Sequence, residues 1–325
     1  MIIVAFGEIK EIISGLPGVS AWPELADFID RAGNDPRPDW DLPILACQAV
    51  GGDESTALYG AAAIACLQVS IILVDDILDD DPRGAQMQLG EGKAANMALA
   101  YEAAALLLGG QATQDVERRG DIMSCLAKAA LDTASGQQLD IQNLQGEEDY
   151  WSVISAKSTP FYGTALQVGA LIGGADLKTS DGLYKLGILI GEIIQLEDDL
   201  ADALEKPANA DWKQGRNNLL IMFARTAEHR ERDRFIELLP QTDNPERLEE
   251  AQRILISSGA VSFCAYHLVT RQLAANSLLK ILDLTNPTPL SNILDDYANS
   301  LRNMLQVSGV ELSLSDLQDA SIKIQ

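Results

Sequence analysis

The chain has 325 residues, a formal net charge of −24 at pH 7 and a mean hydropathy of +0.01. Its hydrophobic fraction of 47% is typical of a globular protein and excludes a disordered chain. The large negative charge argues against nucleic-acid binding, which needs a basic surface. An anionic substrate would therefore have to be held by metal ions and a few well-placed cations.

Cysteine usage and the N-terminus bear on the compartment. The four cysteines lie in apolar helical runs without metal-binding spacing, so we expect reduced core residues and a cytoplasmic protein. Glu8 and Glu11 interrupt the apolar N-terminus, and no basic segment precedes it, which argues against a signal peptide. No uninterrupted apolar run reaches the roughly 20 residues of a membrane span, so we predict no transmembrane segment.

Apolar periodicity and loop signals predict helices throughout the chain. In the first half, the predicted helices are 3–13, 22–31, 42–50, a long helix beginning at 55, 93–108, 115–144 and 147–172. In the second half, a helix at 181–204 and a polar loop at 206–214 precede four or five helices between 218 and 305. Residues 310–325 are a last short helix, a flexible tail or a flap. Without a strand pattern or a linker, the sequence predicts a single all-α domain, 1–325, of ten to fourteen helices.

The long helix that begins at residue 55 ends in five carboxylates within seven residues, from Asp75 to Asp81. The helix dipole already places partial negative charge at that end, so we infer that a cation lies among the oxygens. Asp75 and Asp79 share one helix face, and Asp76 lies beside them. Such oxygen ligands beside a cleft suit magnesium. A solvated acidic helix end is the alternative interpretation.

A second acidic run closes the predicted helix at 181–204. It repeats the pattern DDxxD with Asp198, Asp199 and Asp202, and Gln195 precedes it by one turn. Two such runs, each at the end of a long apolar helix, indicate facing walls of one metal site.

The order and spacing of these motifs resemble the class I isoprenoid synthases, and more narrowly the trans-prenyl diphosphate synthases, over about residues 40–225. Residues 136–140 (GQQLD) resemble the GQxxD between that family's acidic motifs, and 157–159 (KST) resemble its KT pair. Residues 195–202 are similar to its FQxxDDxxD, and 211–216 to the DxxxGK segment that follows.

The resemblance implies a helical bundle with a central cavity, a homodimer, and a prenyl diphosphate substrate ionised by three magnesium ions. The implied metal ligands are Asp75, Asp76, Asp79, Asp198 and Asp202, with Asp199 also in the catalytic set. The implied substrate-binding residues are Arg83, Lys157, Gln195, Lys213 and Gln137. For Lys157 the alternative is a surface lysine, and for the two glutamines it is an amide in the core.

The sequence departs from that family where chain-elongating members bind isopentenyl diphosphate. Asp39 and Asp41 stand where the family has cations, and Arg83 is the single arginine after the first acidic run. Like charges disfavour a bound diphosphate, so we expect the second diphosphate site to be absent. Ser70 and Ile71, where aromatic residues would shorten the product cavity, predict room for a long prenyl chain.

These features predict a magnesium-dependent terpene synthase that ionises a linear prenyl diphosphate and cyclises or quenches the cation. One alternative is a prenyltransferase, either elongating a prenyl diphosphate or transferring the chain to another acceptor. A second alternative, of another class, is a non-catalytic partner subunit of a prenyl synthase.

Overall fold

The computed structural model describes residues 6–32, 38–142, 146–209, 211–212 and 218–307. Within these ranges there are sixteen α-helices and three short 3₁₀ helices, and no strand, which confirms the predicted all-α class. The helices of the first part are α1 (Phe6–Ser14), α2 (Pro17–Ser20), α3 (Pro23–Ala32), α4 (Leu42–Ala49), α5 (Leu58–Leu78), α6 (Gln86–Leu89), α7 (Glu91–Gly109) and α8 (Val116–Asp140). Those of the second part are α9 (Glu147–Lys157), α10 (Thr159–Ile172), α11 (Leu177–Leu204), α12 (Leu219–Thr226), α13 (Arg232–Leu238), α14 (Pro245–Ser257), α15 (Ala260–Ile281) and α16 (Thr288–Val307). The predicted tail or flap at 310–325 lies outside the described residues.

Two of the differences between the predicted and the observed helix boundaries have identifiable reasons. The segment predicted as one helix over 147–172 divides at Ser158 into α9 and α10. Pro160 lies in the first turn of α10, where its missing N–H costs nothing. α11 begins at Leu177 rather than 181 because the Asp176 carboxylate accepts a hydrogen bond from the Thr179 N–H at 2.7 Å.

The core consists of two hydrophobic clusters that meet along α11. The first cluster contains α1, α4, α5, α7, α10 and the first half of α11, and it ends on that helix at Ile190. The second contains the later half of α11, from Ile193, with α12, α14 and α15. Both acidic runs lie at C-terminal helix ends, the first on α5 and the second on α11.

α5 is the most apolar helix of the molecule. Residues Glu54–Leu78 are long and apolar enough to cross a membrane by length and composition, with a mean hydropathy of 2.2 in the best window. Within that window 67% of the residues are buried inside the protein, as expected for a core helix. The four cysteines are free, and Cys47, Cys66 and Cys264 are buried.

Candidate active site

The first acidic run places two of its carboxylates around one lysine. Asp75 lies in the last turn of α5, and Asp79 is the residue that ends this helix. The Lys157 ammonium lies 2.8 Å from Asp75 Oδ1 and 4.0 Å from Asp79 Oδ2. The structure therefore brings Asp75, Asp79 and Lys157 together, and Lys157 is a largely buried residue rather than a surface lysine.

A third carboxylate, Asp140, faces the same lysine. Its Oδ2 lies 2.7 Å from Lys157 Nζ, and its side chain is almost fully buried. Gln137, one turn earlier on α8, donates a hydrogen bond from Nε2 to Asp75 Oδ1 at 2.5 Å. Burial alone would lower the pKa of Lys157, but Asp75 and Asp140 outweigh it and raise that pKa, so the lysine is charged. Sequence analysis assigned Asp140 no role, although it follows Gln137 by three residues on the same helix face.

The position of Lys157 is fixed by a close helix crossing. At Gly136 the backbone of α8 meets the backbone of α9 at Ala156 and Lys157, and a Cβ at residue 136 would collide with it. Only glycine allows two helix backbones to approach this closely. The glycine of the GQQLD segment therefore has a packing role that places Lys157 against α8 and the end of α5.

Asp76 points away from Lys157 and organises the loop after α5. Its side chain accepts a hydrogen bond from the Ala85 backbone, while burial raises its pKa. The Gln86 side chain donates from Nε2 to the carbonyl oxygens of Asp76 and Asp81, at 2.8 Å each. The structure therefore does not place Asp76 beside Asp75 and Asp79 around the lysine.

Arg83 lies on the loop that Asp76 and Gln86 hold. Its guanidinium pairs with Asp81 at 3.1 Å, and 88% of its side chain is exposed. The pKa of Arg83 is raised, first by its hydrogen bond to Asp81 and also by the charges of Glu205 and Asp202. Because Asp202 belongs to the second acidic run, Arg83 lies in the rim between the two runs.

The second acidic run divides its carboxylates between two faces of α11. The pKa of Asp198 is raised to about 6, mainly by burial and also by the negative charges of Asp202, Asp39 and Asp211. The Asp198 side chain is exposed at the cleft, but the protein packed around it still disfavours its charge. Burial also raises the pKa of Asp202. Asp198 and Asp202 therefore form an acidic wall whose charges are not neutralised by an ion pair within the described part of the chain.

Asp199 lies on the other face of α11, where it is 2% exposed. Its Oδ2 accepts hydrogen bonds from Tyr150 Oη at 2.6 Å and from the Leu219 N–H at 2.7 Å. Gln195 Nε2 donates to its Oδ1 at 3.0 Å, and Ser158 Oγ donates to Gln195 Oε1 at 3.1 Å. Burial raises the pKa of Asp199 to about 8, although these hydrogen bonds oppose the shift. The Asp199 and Gln195 side chains thus bond to each other and to their neighbours and not to Asp198 or Asp202, although the charge of Asp211 also acts on Asp199.

Sequence reasoning missed Asp211, which joins the acidic wall from the segment after α11. Burial raises its pKa to about 6, and the charges of Asp202 and Asp140 raise it while that of Lys157 lowers it. Asp211 therefore lies within range of Asp202 in the second run and of Lys157 and Asp140, which lie beside the first run. A usable signal was its place at the start of the segment 211–216, which resembles DxxxGK. Lys213, the candidate chosen from that segment, lies outside the described residues.

Asp39 lies close enough to the second run for its charge to raise the pKa of Asp198. Its Oδ2 accepts a hydrogen bond from Gln68 Nε2 at 3.0 Å. Gln68 Oε1 in turn accepts one from Trp40 Nε1 at 2.7 Å. Asp39, which stands where the family has a cation, is therefore a carboxylate fixed by a hydrogen bond on the side of the cleft formed by Asp198.

The donor set of the cleft fits magnesium. The side chains that converge from α5, α8 and α11 are carboxylates, which are hard oxygen ligands. The pKa values of Asp198 and Asp211 are raised mainly by burial, and neighbouring carboxylates add to both shifts, so a bound cation would relieve part of this cost. No cluster of three or more such side chains with metal-binding geometry occurs among the described residues.

Comparisons with known proteins agree with this arrangement. The model of the Polyprenyl synthetase family matches residues 27–255. The chain is 27% identical over 314 residues to a short chain isoprenyl diphosphate synthase of Methanothermobacter thermautotrophicus, covering 89% of this chain and 93% of that one. It is 27% identical to a geranylfarnesyl diphosphate synthase of Natronomonas pharaonis, covering 77% of this chain and 76% of the relative.

Solved structures show the same fold. A geranylgeranyl pyrophosphate synthetase from Pyrococcus horikoshii superimposes with a TM-score of 0.78 at 21% identity, covering 95% of each chain. A polyprenyl synthase from Caulobacter crescentus, complexed with calcium and isoprenyl diphosphate, has a TM-score of 0.75 at 20% identity, covering 91% of this chain and 93% of that one.

Proposed function

The chain belongs to the polyprenyl synthetase family, and from this premise we propose that it is a magnesium-dependent trans-prenyltransferase. It ionises an allylic prenyl diphosphate and joins the prenyl chain to an acceptor, with isopentenyl diphosphate as the first acceptor to test. The relatives named above are all prenyl diphosphate synthases, so chain transfer is better supported than the cyclisation expected from sequence.

The observation that carries this proposal is that the two acidic helix ends lie near each other, with the largely buried ammonium of Lys157 beside the first and Arg83 between the two. Lys157 lies within 4.0 Å of Asp75, Asp79 and Asp140, and its charge also reaches Asp211 beside the second run. Arg83 links the same two sides at the rim through Asp81 and Asp202. Such a site can hold divalent cations and a diphosphate together.

The residues that would hold magnesium are Asp75, Asp79 and Asp140 on one side and Asp198, Asp202 and Asp211 on the other, and we propose three ions. Bound magnesium would supply Lewis-acid stabilisation of the charge that develops on the departing pyrophosphate. Lys157 and Arg83 would donate hydrogen bonds to diphosphate oxygens. Gln137 orients Asp75, and Gln86 with Asp76 holds the loop that carries Arg83.

The direct test incubates purified protein, magnesium and farnesyl or geranylgeranyl diphosphate, with and without isopentenyl diphosphate. A longer prenyl diphosphate that forms only with the second substrate, and that disappears when EDTA removes the metal, is the expected result. Absence of any metal-dependent product would favour the non-catalytic partner subunit.

A second candidate function is ionisation without isopentenyl diphosphate, followed by cyclisation or quenching. One observation favours it: Asp39, held by Gln68, lies close to Asp198 on a side of the cleft where a second diphosphate would meet like charge. In the same assay, an organic-extractable product formed from the allylic diphosphate alone would support this candidate and contradict chain elongation.

We also propose a homodimer in the cytoplasm. The outer faces of the adjacent helices α7 and α8 carry exposed apolar side chains, including Leu99 at 68% and Leu131 at 69% exposure. Exposed apolar side chains on two adjacent helices are expected where another protein chain covers them. Leu99→Glu with Leu131→Glu should halve the mass in light scattering, whereas Ile281→Glu, at an exposed site on α15, should leave it unchanged. A dimer that survives the double substitution would contradict this interface.

A further inference from the structure

The segment that follows the second acidic run is tied to the last turns of α11 by an asparagine. We propose that Asn218 is a positioning residue for the diphosphate site: its side-chain amide fastens this segment to α11 and so holds Asp211 beside Asp202. The inference rests on the proposed function, and it assigns Asn218 a role that no sequence motif above contains.

The amide group of Asn218 makes two hydrogen bonds that join distant parts of the chain. Its Nδ2 donates to the carbonyl oxygen of Asp199 at 2.8 Å and to Asp211 Oδ2 at 3.1 Å. Asn218 is fully buried, so water cannot replace either bond. One side chain therefore sets the separation between α11 and the Asp211 carboxylate.

A second asparagine supports the same arrangement from a half-buried position. Asn209 Nδ2 donates to the Asp202 carbonyl oxygen at 3.4 Å, and Asn209 Oδ1 accepts from the Asp211 N–H at 3.2 Å. Asn209 thus links the backbone of Asp211 to α11 at Asp202, and Asn218 links the carboxylate of Asp211 to α11 at Asp199. Two independent ties to the helix of the second run indicate a built position for Asp211 rather than a chance loop conformation.

The Oδ1 and Nδ2 atoms of Asn218 have different roles, and a substitution can remove one role while keeping the other. Its Oδ1 caps α12 by accepting hydrogen bonds from the N–H groups of Leu220 and Ile221. Serine is also a good capping residue, but it is too short to reach both Asp199 and Asp211. Asn218→Ser therefore keeps the cap and removes the tie. Asn244, which caps α14 through Glu246 and Arg247 on the surface, offers a matched control in Asn244→Ser.

The experiment measures the thermal stabilisation of the purified protein by magnesium with inorganic pyrophosphate, as a function of magnesium concentration. We expect N218S to raise the half-saturating magnesium concentration about five- to tenfold, the factor that follows from losing the one hydrogen bond that holds the Asp211 carboxylate. N244S should leave that concentration unchanged. Asp211→Ala should raise it at least as much, and N218S should add nothing when combined with D211A, because one acts through the other.

Additive effects of N218S and D211A, or a half-saturating concentration in N218S equal to that of N244S, would overturn the inference. A wild-type protein that magnesium and pyrophosphate do not stabilise would overturn the proposed function as well, so the two failures are distinguishable. If N218S does not fold, Asn209→Ala replaces it, with the same rise expected and an unchanged concentration as the contrary result.

Discussion

The two acidic runs share the pattern DDxxD, but a cation pairs with the carboxylates of the first run and not, within the described residues, with those of the second. At the first run, Asp75 and Asp79 face the ammonium of Lys157, and Asp75 also accepts a hydrogen bond from Gln137. At the second, the hydrogen bonds described above come from neutral groups such as Tyr150 and the Leu219 N–H, and they go to Asp199 on the far face. The first run therefore has a counter-charge beside it. At the second run, burial and then repulsion between carboxylates keep the pKa values of Asp198 and Asp202 raised.

This difference shows that a repeated motif does not imply a repeated environment. The second run offers the stronger attraction for divalent cations, because its charges are less compensated within the described structure. The first run has Lys157 already in position beside it, and the ammonium of this lysine can also donate a hydrogen bond to a diphosphate oxygen.

The largest expected effect comes from neutralising one carboxylate on each side. Asp198→Asn and Asp75→Asn should each reduce turnover roughly a thousandfold, because each removes an oxygen ligand of the metal site. Their effects on stability without metal should be opposite. D198N should melt at the same or a slightly higher temperature, since it relieves repulsion, and D75N should melt lower, since Lys157 loses a partner. Equal shifts of both melting temperatures would remove the distinction between the two runs.

Lys157→Met should have the next largest effect. It leaves Asp75 and Asp140 without their shared counter-ion, so we expect a loss of about 2–3 kcal/mol in the free energy of unfolding, somewhat less than for a fully buried pair. The value of kcat/KM should fall roughly a hundredfold. Chemical denaturation and steady-state kinetics measure the two effects. The control is Lys128→Met, which breaks an exposed pair with Asp132 and should stay within about 0.5 kcal/mol.

Changing the pH should sharpen the contrast at the second run. The pKa values of Asp198 and Asp211, both raised to about 6, lie above the value of 3.8 for an ordinary aspartate. The folded protein therefore binds these protons more tightly than the unfolded chain does. Without metal, the resulting stabilisation is fully present below pH 3.8 and is lost as the pH rises through 6. Magnesium competes with these protons, so its thermal stabilisation with pyrophosphate should be largest above pH 7 and should weaken below pH 6. Stabilisation that is independent of pH between 5 and 8 would contradict these shifts.

The smallest effect is expected from Tyr150→Phe, which removes one of the donors to Asp199. The buried carboxylate keeps its bonds from Gln195 and the Leu219 N–H, so unfolding should become easier by about 1–2 kcal/mol. Turnover should change only a few-fold, because Asp199 does not face the cleft. Tyr59→Phe, at a partly exposed position, is the control and should alter stability by less than about 0.5 kcal/mol. A loss of turnover as large as that of D198N would show that Asp199 takes part in catalysis.

Sequence reasoning located the acidic helix ends and the partners Lys157 and Gln137, because helical periodicity and motif order are local signals. It named Asp198 and not Asp199 as a metal ligand, but only through the family resemblance, and it kept Asp199 in the catalytic set. Consecutive helix residues point about 100° apart, so only one of the two can face the cleft. Which one does so depends on the positions of Tyr150 and of the Leu219 N–H, which both donate hydrogen bonds to Asp199. It also gave no role to Asp140 or Asp211, whose places depend on contacts with Lys157 and Asn218 from other segments.

The backbone crossing at Gly136 has a consequence for how this enzyme could change. Any side chain at that position would push α9, and with it Lys157, away from Asp75 and Asp140. On the proposed function, this crossing would fix the part of the site that binds the diphosphate. Adaptation to shorter or longer hydrocarbon chains would then have to occur elsewhere, at α5 side chains such as Ser70 and Ile71, where substitutions leave that crossing untouched.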